Sequence, residues 1–148
     1  MKGRPMNDEF APRPIAGWYM MAAVASLLAM SFLCVLYVMH VTANPAEMPL
    51  DQRTAYDATP IWVTGAFAVG AWVGVAGAIL LVLKRGLAEV AMLVSLGGMF
   101  VWLAGSLAVG ALREAMSAND LLLIIGAVVV TWTIFWFARH SRQRGWLR

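Results

Sequence analysis

Charge is scarce in this 148-residue chain, and it is confined. No Asp, Glu, Lys, Arg or His falls within residues 14–39, 58–83, 90–112 or 121–138, and no Asn or Gln does either. A soluble domain needs polar side chains spread over its whole surface, so this distribution excludes one. Each interval reaches the roughly 18 residues of a spanning helix. In hydrocarbon a lone segment must pair every backbone amide internally, and only a helix does that.

The same scarcity bears on chemistry. A proton-coupled carrier needs a titratable side chain at depth, and these intervals offer none. The one cysteine, Cys34, excludes an intrachain disulfide; inside the first interval it reads as a small apolar group. The two histidines, His40 and His140, flank opposite ends of the spans. Separated by a hydrocarbon core of about 30 Å, they do not share an iron within one chain. Met30 and Cys34 lie one helical turn apart and are soft enough for a cuprous ion. Ten methionines in so apolar a chain are more simply core filler. No glycine-rich phosphate loop follows a strand, and no Ser-His-Asp set is spaced to act. The expectation is therefore no enzyme activity, no metal and no cofactor.

What the chain has is apolar helix. It is 61% hydrophobic, and the reading is an all-α membrane protein: one domain, a four-transmembrane-helix bundle. The spans are expected at about 15–39, 60–83, 89–111 and 118–139, with short connections, one longer external loop at 40–59 and a cytoplasmic basic tail at 140–148. Its first apolar run is too long for a signal peptide, whose core is roughly 7–15 residues. Taken alternately, the segments on one side carry Lys2, Arg4, Arg13, Lys84, Arg85, Arg139, Arg142, Arg144 and Arg148, and the other side only Arg53 and Arg113. That positive-inside bias predicts both termini in the cytoplasm, in a multi-pass protein of a bacterial inner membrane. The net charge of +3 is thus topological, and no nucleic-acid partner is expected.

Local signals refine the plan. Met1–Pro14, with three prolines, predicts a mobile or extended cytoplasmic arm, and Trp18 and Tyr19 an interfacial belt. Ala22, Ala25, Ser26 and Ala29 make the face of the first helix expected to dock on the second. In the external loop, Leu50–Ala58 predicts two turns of amphipathic helix, serving as a solvated lid or as a partner-docking or ligand-gating loop. Thr59 is expected to cap the second span, with Pro60 at its first position. Lys84-Arg85-Gly86 predicts a tight turn between antiparallel neighbours, the glycine lying just past the helix end. Glu89 is expected to pair with Lys84 or Arg85. Ser117-Ala118-Asn119-Asp120 reads as a capping box.

Two residue sets stand out inside the spans. At a spacing of four, Ala66, Gly70, Gly74 and Ala78 form a smooth stripe, and Gly98 and Gly105 repeat the theme a heptad apart. Small residues of this kind let helix backbones approach closely in lipid, which makes the second span the predicted packing centre. Trp72, Trp102 and Trp132 lie towards the middle of the second, third and fourth spans, away from the usual interfacial belts. They predict either an aromatic packing layer or a pocket for a flat or apolar ligand such as a quinone, pigment or lipid tail.

Four stretches carry a resemblance: Met39-His40-Val41-Thr42, Pro49-Leu50-Asp51-Gln52-Arg53, Pro60-Ile61-Trp62-Val63-Thr64-Gly65-Ala66-Phe67, and Trp136-Phe137-Ala138-Arg139 onward to Arg148. Over nearly its full length the chain resembles a group of short four-helix inner-membrane proteins of proteobacteria, often labelled "sugar transporter". The resemblance implies the membrane and the fold, and its label implies transport. The residues themselves point to a non-catalytic accessory or packing subunit of a membrane assembly. Its partners would be the lipid bilayer and either further copies of the chain, in a homo-oligomer, or a larger membrane complex. The alternative is an oligomeric transporter or carrier of a small molecule.

Overall fold

The computed structural model describes residues 14–148, so all of the expected amino-terminal arm except Pro14 lies outside the described residues. Four helices are long and apolar enough to cross a membrane: α1 (Tyr19–Thr42), α3 (Ile61–Val82), α4 (Leu87–Ala108) and α6 (Ala118–Gln143). Two short helices join them, α2 (Leu50–Ala58) and α5 (Gly110–Ala115). Among the described residues there is no strand. The architecture is an all-α four-helix membrane bundle.

The antiparallel pair α3–α4 is the most extensive contact, with α1 packed on α3 and α6 on α4. Glycine is what allows it. A Cβ added to Gly98 would lie 2.8 Å from the Gly70 amide nitrogen and 2.9 Å from the Ala66 carbonyl oxygen. The two backbones therefore touch where these residues cross, and α3 and α4 are held by contact that any side chain at Gly98 would break. The Ser95 hydroxyl donates to the Gly70 carbonyl across the same seam at 2.6 Å.

The remaining glycine notches of α3 receive methionine. Met99 fills the space over Gly70, Met30 of α1 that over Gly74, and Met92 that over Gly77. Ala78 is fully buried on the same line. Unbranched thioether chains suit such irregular gaps. Gly105 is filled from the other direction, by the Trp62 ring and Val63.

Several local expectations shift. The buried face of α1 runs Tyr19, Ala23, Ser26, Met30, Leu33 and Cys34; Ser26 belongs to it, but Ala25 is exposed. Pro60, not Thr59, occupies the cap position of α3, and the Thr59 hydroxyl donates back to Ala55 at the end of α2. The third span ends earlier than 111, at a break on Val109 (φ −80°, ψ 105°), and Gly110 opens α5 instead of closing α4. The capping box is as expected: Asp120 N–H donates to Ser117 Oγ at 3.2 Å, and Ser117 N–H donates to Asp120 Oδ2 at 2.9 Å.

The largest departure is the tail. Helix α6 continues to Gln143 and ends in a Schellman motif on Gly145 (φ 72°), with Trp146 N–H bonded to Ser141 and Gly145 N–H to Arg142. Trp146 and Leu147 then turn inward and are buried. Arg148 pairs with the α3–α4 turn through two backbone bonds, Arg148 N–H to Lys84 O at 2.8 Å and Gly86 N–H to Arg148 O at 2.6 Å. In that turn the left-handed residue is Lys84 (φ 57°) and not Gly86. Glu89 pairs with Arg142 of α6 at 2.7 Å, and not with Lys84 or Arg85.

The alternation of the four spans gathers Lys84, Arg85, Arg139, Arg142, Arg144 and Arg148 at one end, the basic end. Glu47, Asp51, Asp57, Glu114 and Asp120 gather at the other, the acidic end, with Arg53 and Arg113.

Candidate functional site

At the acidic end the four spans enclose a cavity of about 290 Å³. Its wall is mostly apolar: Leu36 from α1, Val63 and Phe67 from α3, Trp102 from α4, Leu112 from α5, and Leu123 and Ile124 from α6. Its floor is an aromatic pair. The Phe67 and Trp102 rings stack at 4.0 Å with an interplanar angle of 6°, and Tyr37 meets Phe67 edge-on at 5.5 Å. Each of the stacked residues lies six positions from the acidic-end terminus of its helix. At 1.5 Å per residue that sets the floor about 9 Å inside the bundle.

The lid is α2, which packs on α5 and lowers Gln52, Ala55 and Tyr56 onto the cavity. Local sequence explains why this segment can stand there as a separate helix. Pro49 precedes it with extended backbone, and Thr59 and Pro60 stop it. Tyr56 lies beside His40 at the end of α1, ring centres 5.3 Å apart, and Thr59, Thr64 and the same two rings also border an adjoining recess of about 220 Å³.

The polar groups of the lining are uneven in their partners. Ser106 donates to the Trp102 carbonyl and Thr59 to Ala55. Asp120, the carboxylate of the lining, has one oxygen engaged by the Ser117 cap. The Thr64 and Tyr56 hydroxyls and the Trp102 indole N–H make no hydrogen bond to any described residue. Trp102 is donor-only, and all three border the same cavity, free to meet an incoming partner.

Of the three mid-span tryptophans, only Trp102 borders this cavity. Trp72 and Trp132 are 55% and 54% exposed on the outer surface of the bundle, where Trp132 meets Phe100 edge-on at 6.4 Å. They do not form one layer with Trp102. The packing residues Ala66, Gly70, Gly74, Ala78 and Gly98 lie on the α3 side of the seams described above, or directly across from it, and Gly105 underlies Trp62 beside the cavity. Phe67, Tyr56 and His40 were missed as site residues. The signal that marks them is positional: each falls within two turns of a helix end on the acidic side.

At the basic end aromatic rings close on one another. Tyr19 is fully buried there and donates its hydroxyl to the Leu81 carbonyl at 2.7 Å. Phe137 and Trp146 close over it, ring centres 5.4 and 5.8 Å away. Compared with known proteins, the chain matches no family model, no curated protein and no solved structure.

Proposed function

We propose that this protein is a non-catalytic accessory subunit of a membrane assembly, held in a bacterial inner membrane with both termini cytoplasmic. One observation carries the reading. Between the aromatic floor at the acidic end and the aromatic plug at the basic end, the helices meet through Met30, Met92, Ser95 and Met99, all buried. Methionine and serine packed against glycine backbone leave a single chain no polar route across. Half-exposed Trp72 and Trp132 midway along the outer surface then give a neighbouring subunit large aromatic anchors, which interfaces favour.

The test is gentle extraction from the native membrane followed by sizing and mass spectrometry. A larger assembly with a fixed ratio of partner to this chain is expected. Recovery of the chain alone, or only as a homo-oligomer, overturns the accessory role. It would favour the second reading, a carrier built from several copies, for which the acidic-end cavity and the transport label of the resembling proteins speak. Topology is checked apart from both: a reporter fused after Arg148 should be active only in the cytoplasm, and periplasmic activity overturns that orientation.

A further inference from the structure

The geometry points to the acidic-end cavity as a binding site for an uncharged, membrane-soluble molecule whose flat ring carries hydrogen-bond-accepting oxygens, a quinone being the simplest chemical type. Size comes first. At about 290 Å³ the cavity stands at the lower edge of small-ligand sites, roughly 300–1,000 Å³, so it takes a ring with its substituents and not a whole lipid. Access comes second. Leu123 lines the cavity and is 48% exposed. The cavity is therefore not sealed at that side chain of the apolar span α6, and an apolar tail on the ring can leave beside Leu123 into the bilayer. The parallel, stacked Phe67–Trp102 rings of the floor favour a planar body over a branched one.

Hydrogen bonding and charge then select the class. Most helical threonines of the chain, Thr42, Thr54, Thr131 and Thr133 among them, return their hydroxyls to the carbonyl four residues back. Thr64 does not, and with Tyr56 and Trp102 it leaves three donors around one cavity without a described partner. An indole N–H is satisfied only by an acceptor, which a simple organic cation lacks. An anion has acceptors but meets Asp120 in the lining and, around it, four further carboxylates against two arginines, Arg53 and Arg113. A neutral ring bearing carbonyl or ether oxygens meets both conditions.

The probe is a benzoquinone with a decyl chain, titrated into the full-length protein in nanodiscs of neutral phosphatidylcholine and read by quenching of tryptophan emission. Saturable quenching is expected. Tyr56→Phe and Thr64→Val should each weaken it about five-fold, the loss of one neutral hydrogen bond, while Thr64→Ser, which restores a hydroxyl, and Trp72→Phe, on the outer surface, leave the affinity unchanged. Decylpyridinium and decylbenzenesulfonate should not compete. Quenching that rises linearly with quinone in the membrane overturns the site. So does an affinity unchanged in the Tyr56→Phe/Thr64→Val double variant, and so does displacement by either charged analogue.

Discussion

The two ends of this bundle are built from similar residues to opposite effect. At the basic end, Tyr19, Phe137 and Trp146 converge on one another, the hydroxyl of Tyr19 is spent on a backbone carbonyl, and the last residues of the chain are pinned to the α3–α4 turn. At the acidic end, Phe67 and Trp102 stack flat, Tyr56 stands over them on a separate short helix, and a cavity remains. The difference lies in what covers the rings. A continuous helix with a glycine-terminated return brings Trp146 in as a plug, whereas α2 is nine residues between proline-bearing turns and rests on another short helix. Aromatic content alone does not tell a seal from a receptacle; the connectivity of the covering segment does.

The largest expected effect tests the seal. Trp146→Ala should cost about 3 kcal/mol of unfolding free energy in mixed micelles, the range for a buried tryptophan, while Tyr56→Ala, over the open end, should cost less than about 1 kcal/mol. Equal losses would erase the contrast between the ends. Next is the seam the two ends share. Gly98→Ala should cost about 2 kcal/mol because its methyl meets backbone, whereas Gly97→Ala, with nothing within 4 Å, should be neutral or gain up to about 1 kcal/mol from helix propensity.

Two smaller changes should tighten the closed end further. Lys84→Gly relieves a left-handed lysine and should add about 1 kcal/mol, read as a higher melting temperature. Ser141→Ala removes a buried hydroxyl with no partner among the described residues and should be neutral to about 1 kcal/mol stabilising. The smallest effect belongs to the ion pair of Arg142 and Glu89, whose side chains are 54% and 22% exposed. Glu89→Gln should cost at most about 1 kcal/mol, and the cost should fade as salt is raised.

How much of this was legible in the sequence follows from the solvent. In lipid, hydrophobicity no longer separates inside from outside, so a large apolar residue such as Trp72 or Trp132 carries no mark of its direction. Small residues do carry one, because only packing gives them a use. The stripe on α3 was therefore readable, and the tryptophans were not. Cap chemistry at Ser117 and Asp120 was readable because it is local. The inward turn of Trp146 was not, since it sits among Arg142, Arg144 and Arg148 in what reads as a solvated tail. Nor was the partner of Glu89, since Arg142 lies 53 residues away along the chain and reaches it only once α6 has packed on α4. The cavity needs six helices placed together, and only its lid, Leu50–Ala58, had a signature of its own.

Backbone-to-backbone contact at Gly70 and Gly98, bridged by the Ser95 hydroxyl, has a mechanical meaning. Where Gly98 meets the Gly70 and Ala66 backbone no side chain intervenes, so no rotamer there can absorb sliding and the central hairpin is pinned at that crossing. The outer pair, α1 and α6, has no such crossing with the hairpin: α1 reaches α3 through side chains such as Met30 over Gly74, and α1 meets α6 through the Tyr19 and Phe137 rings.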